Sequence, residues 1–205
     1  MGKLEANKQQ KLTSLLNTAF NLFTTQGVTK TSIAEISQKA GIDKGTFYLY
    51  FKDKYDIRNR LISHESSKLF KNAVADLEEF SKEKNEQLGF EEKIIFIINH
   101  IVDELNSNQT LLTFISKNLS WGIFKEALTT KVASDDINFK DVYYEMINAE
   151  DISLEEPEIM LFLIVELVSS TCYSAILYKE PADIDTIKPY LFKTVRAIIR
   201  EHTIR

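Results

Sequence analysis

Residues 31–54 read TSIAEISQKAGIDKGTFYLYFKDK, and this stretch decides the fold. Ser32 and Glu35 stand three apart, the spacing of a capping box, in which a hydroxyl and a carboxylate satisfy each other's orphan backbone N–H groups. They predict a short helix with Ile33, Ile36, Ser37 and Ala40 along one side. Gly41 stops it, because glycine adopts the left-handed conformation that closes a helix. Asp43 is placed to accept the free N–H groups of a second short helix, Lys44 to Tyr50. Asp53 offers the same cap to a longer helix beyond. Two short helices with a tight turn between them, braced by longer ones, make a helix-turn-helix.

Upstream, Leu12, Leu15, Leu16, Ala19, Phe20 and Phe23 follow helical spacing and predict an amphipathic helix from Asn7 to Gln26, ended by Gly27. Downstream, the helix capped by Asp53 runs to about residue 80, with Ile57, Leu61, Leu69, Phe70, Ala73, Leu77 and Phe80 as its buried positions. A polar stretch, Ser81 to Gly89, separates it from an apolar helix, Phe90 to Leu105. Further helices are expected at Thr110–Asn118, Gly122–Ser134 and Asn138–Asn148. Ser153, Glu156 and Pro157 read as a capping box with proline in the first turn, opening an apolar helix to Tyr178 that is expected to be buried on both sides. The loop Lys179 to Asp183 leads to a last helix, Asp185 to His202.

With six Gly and three Pro in 205 residues, the chain has few places to turn and many to run helical. The fold expected is all-α: an N-terminal three-helix helix-turn-helix domain, residues 1–54, and a larger helical domain, residues 55–205, joined by the helix from about 53 to 80. A membrane span at Ile159 to Tyr178 is opposed by Glu166 near its middle, since a carboxylate at bilayer depth costs roughly 2.5–3.5 kcal/mol. The single Cys172 cannot form an internal disulfide, and no apolar leader follows the charged start, so a cytoplasmic protein without membrane contact is expected.

The net charge of −5 hides an asymmetry. Residues 1–60 hold ten Lys and Arg against five acids, a balance of +5, so the remaining 145 carry −10. A basic end on an acidic body suits a protein that meets a polyanion at one end only.

Residues 31–54 closely resemble the signature of the TetR family: a Thr/Ser start, a buried Ile, Ala-Gly at the turn, a Gly-Thr-aromatic-Tyr helix, then Tyr-Phe and a Lys. The resemblance covers about fifty residues. It implies a DNA-binding transcriptional regulator, in which the positions of Tyr48, Tyr50 and Lys54 contact phosphates or neighbouring bases and Thr31 or Ser32 the backbone. Ser37 stands where Ala is usual and Ala34 where many members carry a base-reading Arg, so direct readout is expected to be sparse.

The residues have their own physical reasons for that role. Gly45 lets the backbone of its helix approach the groove wall, and Lys44 and Thr46 are placed to reach base edges. Phe47 and Phe51 read as core, and Tyr50 reads equally as a cover for that core or as a contact. Lys54 opens a helix, against the dipole preference, which favours a phosphate contact over decoration.

In the second domain, polar residues within apolar helices are the pocket candidates: Asn99, His100, Asp103, Glu166, Ser170 and Tyr173, with Phe114, Trp121, Phe124 and Tyr144 as aromatic walls. Glu166 is expected either to pair with His100 or a cationic ligand, or to lie at a dimer seam. The last two long helices have nothing after them to cover their apolar faces, so a homodimer through them is expected. The function expected is a repressor that binds a palindromic operator in double-stranded DNA as a dimer and is released by a small-molecule inducer. The alternative is a helical protein-binding adaptor. An enzyme is not expected: His64, His100 and His202 are far apart, no metal-ligand or nucleophile motif occurs, and no cofactor is implied.

Overall fold

The computed structural model describes residues 3–85, 87–118, 139–150 and 152–204. Among them lie nine helices and no β-strand: α1 (Lys3–Gln26), α2 (Ile33–Ala40), α3 (Lys44–Tyr50), α4 (Lys54–Lys84), α5 (Phe90–Ser107), α6 (Gln109–Asn118), α7 (Phe139–Asn148), α8 (Pro157–Leu177) and α9 (Ile184–His202). The fold is all-α, with a helix-turn-helix at its N-terminal end. The helix expected over Gly122–Ser134 lies outside the described residues.

One compact unit is built on Met1–Ser67, the other on Lys68–Lys117 with Asn138–Arg205. In the first, the α1 stripe of Leu15, Leu16, Ala19 and Phe23 is buried against a small core containing Ile36, Phe47 and Phe51. Phe47 and Phe51 retain 0% and 1% exposure, as expected of core, with ring centroids 5.5 Å apart. Burying each ring contributes on the order of 2–3 kcal/mol, which is what holds so short a helix as α3. Ser14 Oγ donates to Ala40 O at 3.1 Å and ties α1 to the end of α2.

The local signals for this unit hold with one exception. Ser32 Oγ accepts from Glu35 N, and Gly27 and Gly41 take positive φ of 85° and 68° at the ends of α1 and α2. Asp53 Oδ1 accepts from the N–H groups of Tyr55 and Asp56, and these bonds hold its carboxyl below the ordinary range. Asp43, by contrast, makes no side-chain cap bond to α3.

In the second unit α9 packs on α8 and α5, and α5 on α8. Arg196 binds Glu91 and Glu92, and Arg200 binds Glu91 at 2.9 Å, so α9 grips the first turn of α5. Glu150 caps that same turn, accepting from Phe90 N at 2.5 Å and Lys93 Nζ at 2.6 Å. Tyr143 is fully buried, donates to Pro157 O at 3.0 Å, and has its phenol pushed up by burial.

Three expectations for the second unit are corrected. Helix α4 runs to Lys84, through the first half of the polar stretch read as a separator, and Phe80 is only half-buried. The Ser153/Glu156 capping box does not form. Glu155 N donates to His202 O, Ile204 N donates to Ser153 O, and Leu154 bridges Thr203, so residues 153–155 are extended and α8 begins after Glu156, at φ 47°. Nor is α8 buried on both sides. Met160, Leu161, Ile164 and Cys172 face inward, while Ile159, Leu163, Glu166 and Ser170 are exposed. By length and composition α8 could cross a membrane, and a third of that stretch is buried in the fold. Cys172 has no exposure, and burial pushes its thiol up to about 12.

Candidate nucleic-acid interface

The helix-turn-helix sorts its residues by face. On α3 the side chain of Phe47 turns into the core, leaving Lys44, Gly45, Tyr48 and Leu49 exposed and Thr46 half-buried. Tyr48 is 51% and Leu49 82% exposed. A Cβ built on Gly45 would meet nothing within 4 Å, and its φ is not in the left-handed region. Among the described residues, no packing contact therefore requires glycine at that position.

Tyr50 is half-buried, and its hydroxyl donates to Lys8 O at 3.3 Å, fastening α3 to α1. Lys54 Nζ donates to Thr29 O at 3.0 Å and Thr31 O at 3.1 Å, so it clasps the loop between α1 and α2 to the start of α4. Two of its three donors are thus committed within the fold. Thr31 is 1% exposed, its hydroxyl donates to Gly27 O at 2.8 Å, and its own N–H donates to Val28 O. It faces inward, which leaves exposed Ser32 as the member of that pair able to meet a backbone.

Leu49 is exposed although hydrophobic residues of this stretch read as core and polar ones as contacts. The signal was present in the spacing: Leu49 sits two residues from each of the buried Phe47 and Phe51, off their face. The same reading misses a buried polar stretch of α4, where Ser63, His64 and Ser67 are 4%, 7% and 8% exposed. Among the described residues Ser63 Oγ has no hydrogen-bond partner, and neither has the buried Ser37 Oγ on α2.

The pocket candidates of the second unit separate into three places. Asn99, His100 and Asp103 lie together in an open groove of about 550 Å³, with Asn72, Asp76, Phe96, Glu104 and Ser107. His100 pairs there with Asp76 at 3.0 Å and Glu104 at 3.5 Å, not with Glu166, and Asp103 takes Lys188 and, at 3.1 Å, Asn99. Glu166 and Ser170 stand on the exposed face of α8; half-buried Tyr173 pairs its hydroxyl with Tyr178 at 3.0 Å. Phe114 is core, Tyr144 packs edge-on against Tyr143, and Trp121 and Phe124 lie outside the described residues. No group of three or more His, Cys, Asp or Glu able to hold a metal occurs among the described residues.

Residues 15–61 match the family of bacterial regulatory proteins described as the tetR family. The chain is 40% identical over 55 residues to the HTH-type transcriptional regulator AcrR of Shigella flexneri, 27% of this chain and 26% of that one. It is 30% identical over 93 residues to the fatty acid metabolism regulator protein of Bacillus subtilis (strain 168), 45% of this chain and 44% of the relative. The chain thus spans a quarter to under half of these curated relatives. Among solved structures, FadR of Bacillus subtilis in complex with stearoyl-CoA superposes with a TM-score of 0.56 at 16% identity, covering 91% of this chain and 98% of that one, a likeness of fold.

Proposed function

We propose that the chain is a regulator of the tetR type, on the match of its residues 15–61 to that family: a cytoplasmic repressor that binds a palindromic DNA operator as a dimer and leaves it when a small molecule binds. The observation that carries this reading is the outward face of α3. Lys44, the bare backbone at Gly45, Tyr48 and Leu49 are presented together, while Phe47 anchors the helix from behind. Ser32, exposed, and the remaining donor of Lys54 are the phosphate contacts in this reading. Thr46 and Tyr50 support it, the latter chiefly by holding α3 on α1. Residues 1–54 grip DNA in this reading, and residues 55–205 dimerise and hold the effector.

The exposed side of α8, with Ile159 and Leu163 about Glu166 and Ser170, is the seam for a second copy. A dimer sets two α3 helices to read half-sites about one helical turn, roughly 34–36 Å, apart. An effector that favours a different spacing breaks simultaneous contact, and linkage requires DNA to weaken effector binding by the same factor.

The effector to try first is a long-chain acyl-CoA, on the strength of the fatty-acid regulator relative and the stearoyl-CoA complex of the structural neighbour. A second reading rests on the groove by His100. Asp76, Asp103 and Glu104 would repel a phosphate-bearing ligand there and suit a cationic compound.

Selection of bound duplexes from a random library at moderate salt tests the function. Enrichment of a palindrome with half-sites about one turn apart, and its release by stearoyl-CoA, is expected. Binding without sequence preference that vanishes as salt rises would replace the repressor with a basic-faced adaptor.

A further inference from the structure

Helix α3 reads KGTFYLY from Lys44 to Tyr50. Lone exposed leucines are ordinary on protein surfaces, so the 82% exposure of Leu49 is not by itself informative. What gives it meaning is what α3 lacks. Major-groove reading relies chiefly on bidentate hydrogen bonds, from Arg or Lys to guanine and from Asn or Gln to adenine, and of these residues α3 contains only Lys44. Lys44 supplies a flexible point charge and Thr46 one short, half-buried hydroxyl. The hydroxyl of Tyr50 is turned back to Lys8 O. One major-groove signal needs no hydrogen bond at all: the 5-methyl group of thymine, read by apolar contact. Leu49 is the aliphatic side chain that α3 holds out, one turn after Gly45, where no Cβ keeps the helix away from a groove wall.

We propose that Leu49 is a specificity-determining residue whose methyl groups pack on the 5-methyl of one thymine in each half-site, fixing a T·A pair there. The assignment rests on the DNA-binding reading above. It adds an apolar signal to the sparse hydrogen-bonded reading that Lys44 and Thr46 can supply, and neither Lys44 nor Ser32 selects that T·A pair.

The test uses the full chain and the duplex that selection returns. Each thymine of a half-site is replaced in turn by deoxyuridine, which removes only the 5-methyl, and affinity is read by fluorescence anisotropy for the native chain and for Leu49→Ala. At one position the native chain is expected to lose about fourfold, the worth of one buried methyl. The same replacement is expected to leave Leu49→Ala unchanged. Because Leu49 lies outside the core, the variant keeps the native melting temperature, which a thermal melt verifies. If every deoxyuridine duplex shifts the two proteins by the same factor, or if the sensitivity survives in Leu49→Ala and disappears in Tyr48→Ala, the assignment to Leu49 is overturned while DNA binding stands. Failure of the native chain to bind any duplex would remove the DNA-binding reading and the assignment with it.

Discussion

The ammonium of Lys54 reaches back across the helix-turn-helix to the carbonyl oxygen of Thr31, 3.1 Å away, and at the same time takes the carbonyl of Thr29. A lysine at a helix start runs against the dipole; here it is held by the two carbonyls of the loop it closes. Replacing Lys54 by Met should therefore act on the fold as well as on DNA. About 1 kcal/mol of stability is expected to go, less than two buried charged hydrogen bonds because the site is half-exposed. If the third donor also meets a phosphate, the salt slope of DNA binding falls by about one unit. A variant with native stability would remove the clasp, and one with the native salt slope would remove the phosphate contact.

Gly45 should behave in the opposite way. A Cβ there meets nothing, and exchanging a helical glycine for alanine stabilises by about 0.5–1 kcal/mol. Gly45→Ala is expected to melt at or above the native temperature yet bind operator more weakly. Undiminished affinity would mean that no groove wall comes close to this turn of α3.

Ser37 is 3% exposed, and its hydroxyl has no partner among the described residues. Leaving a buried hydroxyl unmatched costs on the order of 1–3 kcal/mol. Ser37→Ala should raise the free energy of unfolding by about 1 kcal/mol in chemical denaturation. A loss of stability would show that the oxygen is matched in solution by a water molecule.

The grip of α9 on α5 sets an acid limit. Arg200 and then Arg196 hold the Glu91 carboxyl below its ordinary 4.5, and Arg196 does the same for Glu92. Groups depressed in the folded state add stability above their unfolded value and lose it as pH falls through the folded one. The melting temperature should therefore drop as pH is lowered below about 4.5, and Glu91→Gln should melt lower at pH 7 with a flatter acid dependence. Parallel acid profiles for the two proteins would place the dependence elsewhere.

On α8, Leu163 is 41% exposed in a single chain. Leu163→Asp should turn a dimer into a monomer in sedimentation without unfolding it, and should weaken palindrome binding far more than half-site binding. A dimer that survives the change would move the seam to another face.

The helix-turn-helix was legible almost residue by residue because its signals are local. A cap, a left-handed glycine or a four-residue spacing is complete within one turn, and Ser32, Gly41 and Asp53 perform as their neighbours in sequence dictate. Legibility fails where the partner is remote. The Ser153/Glu156 box is locally sound, but the backbone of residues 202–204 claims residues 153–155 first. Polarity alone offers Glu166 as a partner for His100, whereas the fold sets it between Asp76 and Glu104, the latter one helical turn away. Thr31 and Lys54 carry contact chemistry in their side chains, yet how much of it is turned inward depends on a loop whose closure no spacing reveals.

Cys172 is the chain's single thiol, shielded from solvent and held protonated to about pH 12. Alkylation needs both access and the thiolate, so at neutral pH a maleimide can react only in the moments when the second unit has opened. The rate of labelling is then a clock for that opening, built into the native sequence. Compounds that slow it have found the folded second unit, and can be ranked without any knowledge of the operator.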